Sequence, residues 1–488
     1  MKSTSAVSRG LLALFGGLGA YLLWTSLPWP LIHDAPILHY IAWRIGQGAV
    51  PYRDLFDMNQ PGVYLIHMGV LKILGDGDRA WRLFDVASLA VAAAVLAWLA
   101  APWGRIAAVG GSLCFALYHL ADGAWQAGQR DFLICPFLLA AAVGLARWLE
   151  AGGKGARASL GASGLTLGAA MTIKPHVALL AVGFSVVVVA VAWRAPVNAL
   201  AIYLSMLALA PVTMLVWLAR LGALGAWRDV VVDYLVPLYA RLGQPAHWAF
   251  HRWHVWIAIA AAVGLSLAST LWHGRFTARH GVATLGLGYG LAHFFGQGKG
   301  WEYHLYPLAA FAAVLAFSEV DAVLRARRLV PAVSLLAALV AVAGLLGQKG
   351  AEAADAGWIR DKERLVRLLV SDLGAHIRPG DTVQVLDTTG GGIHALLRLH
   401  TGEPTRFLYD FHFFHDTDRP VIRQLRAEFV RDLAAHPPRF VVVFERGWPA
   451  GRYERVETFS ELARWLRDSY TIRERRDGYV IFANRRSS

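Results

Sequence analysis

Four clusters of polar residues break an otherwise apolar chain. Their side chains are those on which acid–base chemistry and anion binding draw. The first cluster runs from His33-Asp34 through Arg53-Asp54 to Asp57-Met58-Asn59. The second is Gln129-Arg130-Asp131, the third Thr172-Ile173-Lys174-Pro175-His176. The fourth reads Lys299-Gly300-Trp301-Glu302-Tyr303-His304. Each has a structural reading when taken alone. Asp34 can cap a helix end, Arg130 and Asp131 can form an interfacial ion pair, Lys174 can mark a loop, and His304 can sit at an interface. Charged groups near a bilayer cost free energy unless they are paired or functional. Clusters from separate loops that share one face favour a site.

The elements that must position them are membrane helices. Of 488 residues, 56% are hydrophobic and 17% charged, against about a quarter charged in soluble domains. Mean hydropathy is +0.43. Lipid accepts apolar surface that water would not, and the 19 Trp and 15 Tyr suit two membrane–water interfaces. The net charge is +13. Because the basic residues lie between apolar runs, their expected partners are anionic headgroups and lipid phosphates rather than nucleic acid. Cys114 and Cys135 fall inside apolar runs, which suggests neither a disulfide framework nor a cysteine metal site.

A spanning helix needs about 20 mostly apolar residues. Candidate spans are 11–31, 81–101, 105–121, 131–149, 158–173, 177–193, 197–218, 253–272, 280–296, 301–318 and 329–347, about eleven in all. The first apolar run is too long for a signal peptide and no small-residue cleavage site follows it, so it reads as a retained span. Pro61–Gly75 is short for a span. It reads as a helix lying in the outer interface, with His67 and Lys72 at headgroup level. With a cytoplasmic N-terminus, the short cytoplasmic loops hold Arg105, Arg147, Lys154, Arg157, Arg194, Arg275, Arg279, Arg325, Arg327 and Arg328. The long segments 32–80 and 219–252 and everything after about 348 then lie outside, and all four polar clusters face that side.

The expected domains are therefore a transmembrane domain over 1–348, with a large first outer loop at 32–80, and a soluble outer domain over 349–488. In the latter, short apolar strands alternate with amphipathic helices, which argues a small α/β domain. The strands are expected at Thr382–Leu386, Arg406–Tyr409, Phe440–Phe444 and Tyr479–Ala483. The helices are expected at Ile393–Leu399, Arg419–Ala435 and Phe459–Asp468.

An acidic residue just after the first helix, a long outer loop ending in a Pro-x-x-Tyr helix, a second acidic residue in the next outer loop, a Lys between spans five and six, and a soluble outer domain last: this order resembles the GT-C superfamily of integral-membrane glycosyltransferases. That superfamily includes protein mannosyltransferases and the aminoarabinose transferases of lipid A. The resemblance covers residues 11–320 by pattern. The family's frequent Asp-Asp or Asp-Glu pair is absent, because His33 precedes Asp34 and Ala35 follows it.

The resemblance implies a polytopic α-helical, GT-C-like protein of the bacterial inner membrane, with its C-terminal domain in the periplasm. It also implies an inverting glycosyltransferase that moves a sugar from a polyprenyl-phosphate donor to an envelope acceptor, which is a glycan, a lipid or a protein. Asp34 is then the general base, and Asp131 binds or orients the acceptor. Lys174, Arg130, Lys299 and His304 hold the lipid phosphate. Asp54, Asp57 and Asn59 contact sugar or acceptor, while Glu302 and Tyr303 complete the substrate-binding set. No metal ligand set and no definite cofactor are implied, and a divalent cation is left open. One base opposite the leaving group predicts inversion at the anomeric carbon.

Two other signals carry less. Asp387-Thr-Thr-Gly390-Gly-Gly392 reads as a strand–helix turn, and His412, His415 and Asp416 read as a surface loop. A transporter or flippase of lipid-linked sugars is the alternative, although such proteins place charge near the bilayer midplane in repeated halves. A non-catalytic anchor subunit would not need acids and bases from four loops on one face.

Overall fold

The computed structural model describes residues 2–192, 198–250, 252–326, 329–354 and 357–486. Arg194, Arg327 and Arg328 of the expected cytoplasmic loops lie outside them. Among the described residues, eight helices are long and apolar enough to cross a membrane by length and composition. They include Asp78–Ala100, Arg130–Glu150, Asn198–Arg220, Trp253–Trp272 and Leu329–Ala354. The expected spans at 105–121, 158–173 and 280–296 are also helical, at Arg105–Ala121, Arg157–Ile173 and Ala278–Gln297. Helix is the form lipid demands of a single segment, because it satisfies every backbone group internally.

The chain forms two compact units. The first comprises Met1–Trp29, Asp78–Leu215 and Gly243–Asp355. At its heart is the Tyr306–Phe317 helix, buried at every position. Glycines let its neighbours approach. A Cβ on Gly290, in the Ala278–Gln297 helix, would lie 2.5 Å from the Leu308 backbone. A Cβ on Gly168 would strike the Leu207 carbonyl of the Asn198–Arg220 helix. Small residues at such crossings gain van der Waals contact where lipid offers no hydrophobic driving force. These two crossings set the height of the helix ends that carry His293 and Lys174.

The second unit comprises Pro30–Gly77, Val216–Leu242 and Ala356–Ser488. Its sheet has the order β1-β2-β4-β3, with β1 at Val383–Leu386, β2 at Phe440–Phe444, β3 at Tyr470–Arg476 and β4 at Tyr479–Asn484. β1 and β2 are parallel, and β4 runs antiparallel to both β2 and β3. The helices Gly392–Leu399, Pro420–Ala435 and Ser460–Ser469 lie where the apolar pattern placed them. Gly357–Gly374 is an additional helix.

Two strand expectations need correction. Arg406–Tyr409 is not a strand: it makes one bridge, Phe407 to Phe56 of the 32–80 segment, with the Phe56 N–H donating to the Arg406 carbonyl at 2.7 Å. β3 was missed because its sequence, Tyr-Thr-Ile-Arg-Glu-Arg-Arg, is mostly charged and exposed. That is how an edge strand resists pairing with other chains.

Three further local findings concern the same unit. The helix expected at Pro61–Gly75 is present at Pro61–Ile73. His67, however, is not at a headgroup surface: it is fully buried, its ring edge-on to His39 at 4.7 Å. His412 and His415 are likewise buried rather than on a surface loop. The Tyr234 hydroxyl lies 2.6 Å from His412 Nδ1 and 2.9 Å from His415 Nε2. At the glycine-rich turn, the Asp387 carboxylate itself accepts the N–H groups of Gly390, Gly391 and Gly392 at 2.7–2.9 Å. The turn's anion is therefore its own side chain, in keeping with a strand–helix turn.

Candidate functional site

Four helix ends of the first unit converge on Asp131. This residue lies in the first turn of the Arg130–Glu150 helix and is fully buried. Lys174 follows the last residue of the Arg157–Ile173 helix with φ −137° and ψ 105°. Pro175 disfavours helical geometry in the residue before it, so the chain turns out and the side chain turns in. Lys174 Nζ then lies 2.9 Å from Asp131 Oδ2. His293, near the end of the Ala278–Gln297 helix, places Nε2 2.6 Å from Asp131 Oδ1. Its Nδ1 lies 3.1 Å from the Tyr289 hydroxyl. A tyrosine O–H donating to Nδ1 suits the tautomer whose Nε2–H donates to the carboxylate. His304, in the one-turn segment Glu302–Leu305, stands with Nε2 4.0 Å from Asp131 Oδ2. Lys174 Nζ also donates to Gln297 Oε1 at 3.4 Å.

Cations predominate around this single carboxylate. Lys174 and Arg130 both act electrostatically on His304. Lys299 is within electrostatic reach of Lys174, with its Nζ 5.9 Å from the centre of the Trp301 ring. Burial, followed by the Lys174 charge, pushes the Lys299 ammonium down to about 7. Asp131 can neutralise one of these cations. The remainder suit an anion.

No family model matches the chain, and no curated protein matches it either. Solved structures do. ArnT from Cupriavidus metallidurans in the apo state aligns at TM-score 0.63 and 13% sequence identity, over 98% of this chain and 98% of that one. The same protein bound to undecaprenyl phosphate aligns at TM-score 0.63 and 13% identity, over 97% of this chain and 98% of that one. The fold is GT-C-like. At this identity the likeness concerns the fold, so what the site does rests on its own residues.

Two buried networks surround the Asp131 cluster, and both draw on residues that sequence reasoning passed over. Lys349 lies in the Leu329–Ala354 helix and donates to both Asp122 and Glu302. Glu302 is thus committed to an ion cluster that anchors the segment carrying Tyr303 and His304. In the other network Arg82 pairs with Asp85 and donates to Ser26. Asp85 Oδ1 accepts the Gly128 N–H at 2.7 Å, and Asp85 Oδ2 lies 3.2 Å from His119 Nε2. This fixes the loop that leads into Asp131. Arg82, Asp85 and Lys349 lie in or next to strongly apolar runs, where hydropathy hides a single charge. The signal that could have found them is the cost of a lone charge in a span, which demands a partner.

The remaining candidates belong to the second unit. Asp34 precedes the Ala35–Gly46 helix, and its carboxylate does not cap it. His33 Nε2 lies 3.8 Å from Asp34 Oδ1, and His33 itself sits at φ +64°, a conformation uncommon outside glycine. Lys362, which the sequence did not single out, is within electrostatic reach of Asp34 and Asp387. Asp57 accepts from Asn59 Nδ2 at 2.9 and 3.0 Å and from the Tyr64 hydroxyl at 2.7 Å. Asp54 receives a two-pronged contact from Arg53 at 2.8 and 2.9 Å. The structure therefore brings Asp131, Lys174 and His304 together and adds His293. Asp54, Asp57 and Asn59 join networks within the first loop. Among the described residues, no group of three or more His, Cys, Asp or Glu could hold a metal ion.

Proposed function

We propose that this chain is an inverting membrane glycosyltransferase that takes a sugar from a polyprenyl-phosphate donor and passes it to an envelope acceptor outside the cytoplasm. The observation that carries the reading is the convergence of Lys174, His293 and His304 on one buried carboxylate, Asp131, with the cationic side chains of Arg130 and Lys299 in electrostatic reach of the same cluster. A fold shared with ArnT bound to undecaprenyl phosphate supports a lipid phosphate as the anion.

In this mechanism the Asp34 carboxylate takes the proton of the acceptor hydroxyl. The acceptor oxygen bonds to the anomeric carbon from the face opposite the phosphate. The bond from that carbon to the phosphate oxygen breaks, and its electron pair leaves with the lipid phosphate. Lys174, Arg130, Lys299 and His304 stabilise the charge that builds there. The ion pair with Asp131 makes it a positioning residue for Lys174, in addition to any contact with the acceptor.

The test supplies purified protein with polyprenyl-phosphate sugars and follows sugar transfer or slow donor hydrolysis. Wild-type protein turns over donor with inversion. Asp34→Asn abolishes transfer while the protein stays in the membrane. Wild-type activity in Asp34→Asn would remove Asp34 from the mechanism, and an absence of turnover with every donor would remove the reading itself.

A further inference from the structure

A cavity of about 760 Å3 opens on the second unit, bordered by the Val230–Leu235 π-helix, the first-loop residues Arg53 and Phe56, and the start of the Pro420–Ala435 helix. None of the residues assigned to the Asp131 centre takes part in it. Its size falls within the roughly 300–1,000 Å3 of small-molecule sites. A π-helical turn is rare and is found disproportionately at functional sites.

The walls are strongly charged, and part of that charge is uncommitted. Arg53 is held by Asp54 at 2.8 and 2.9 Å, and Arg406 by Glu428 at 2.6 and 2.9 Å. Arg241, Arg419 and Asp233 have no ion-pair or side-chain hydrogen-bond partner among the described residues. Gln424 adds an amide, and Val232 and Leu425 add apolar surface. Two uncommitted guanidinium forks match a carboxylate or phosphate in two-pronged fashion. An acid, an amide and small apolar patches match the hydroxyls and C–H faces of sugar rings. A simple anion site would not line the same cavity with Asp233 and Glu428 as well.

We infer that this cavity binds an anionic oligosaccharide, one whose sugars carry carboxylate or phosphate groups. Its designation as the acceptor rests on the transfer reading above. Such a glycan can arrive free or carried on a lipid, and the chemistry that recognises it is the same.

The test titrates full-length protein in lipid nanodiscs with trigalacturonate, maltotriose and dodecyl glucuronide. Trigalacturonate is expected to bind saturably and at least tenfold tighter than maltotriose. Replacing both Arg241→Gln and Arg419→Gln is expected to weaken it at least tenfold, while Arg241→Lys with Arg419→Lys recovers part of the loss. Dodecyl glucuronide binding that falls with the same arginines assigns a lipid-borne source, and its insensitivity to them, with trigalacturonate sensitive, assigns a free glycan. No saturable trigalacturonate binding, equal affinity for maltotriose, or an unchanged affinity in the glutamine variant would overturn the inference. Donor hydrolysis by the unmodified protein is followed in parallel and reports on the transfer reading alone. Glycan binding without hydrolysis keeps the cavity and removes its acceptor role; hydrolysis without glycan binding overturns the cavity assignment.

Discussion

At the scale of single residues, the proposed chemistry hangs on how Asp131 is shared. Its carboxylate is buried, with Lys174 at 2.9 Å and His293 at 2.6 Å. Removing one partner of a buried pair leaves the other charge uncompensated, at a cost of about 3–5 kcal/mol. Asp131→Asn and Lys174→Met should each lower the unfolding temperature in detergent. The double variant should lose less than the two single losses added together, and strict additivity would show that the pair is not coupled. Lys299 gives a pH prediction. Burial lowers its ammonium to about 7, so it is charged below that pH and neutral above it. Affinity for a polyprenyl phosphate should therefore fall as pH rises through about 7. Lys299→Arg, which stays protonated, should flatten that part of the profile when binding is measured from pH 6 to 8.5.

At the scale of elements, helix crossings decide whether those residues meet. The Gly290 Cα hydrogens face the Leu308 backbone, with no room for a Cβ. Gly290→Ala should force the Ala278–Gln297 helix away from Tyr306–Phe317 and cost about 1–3 kcal/mol by overpacking. Because His293 lies one turn further on, donor turnover should drop more than stability alone accounts for. A thermal melt beside a turnover assay checks both, and an unaltered melt would show that the crossing is loose. Most elements were legible because burial leaves a period in the sequence: the Pro420–Ala435 helix and β2 fall within a residue of expectation. β3 was not, since an edge strand is selected for charge rather than for alternation. Arg406–Tyr409 reads as a strand because it is buried, yet it pairs only through Phe407.

At the scale of the whole molecule, the second unit is assembled from three separated stretches of chain. The Tyr40 hydroxyl accepts the Glu403 N–H at 3.0 Å and donates to the Thr401 carbonyl at 3.3 Å. Phe56 pairs with Phe407 and lies under the Arg406 guanidinium. A fragment of residues 357–486 alone loses all of these contacts and exposes the surfaces they cover. It should melt well below the same sheet in the intact protein, or aggregate, as followed by circular dichroism and light scattering. A cooperative melt of the fragment at the intact protein's temperature would show that residues 30–77 add nothing to this unit.

The amino-acid order by itself determined that the chain is a membrane protein of many helices with an α/β region at its end. It also placed candidate residues such as Asp131, Lys174 and His304 at or beside helix termini. Transfer of side chains from water to lipid is nearly additive along a local stretch, so it can be summed from sequence. Only the tertiary structure decided which charges neutralise each other. Asp131 meets His293 across 162 positions, and Lys349 reaches Asp122 across 227. A Coulomb interaction depends on distance in space, and no local pattern records that distance.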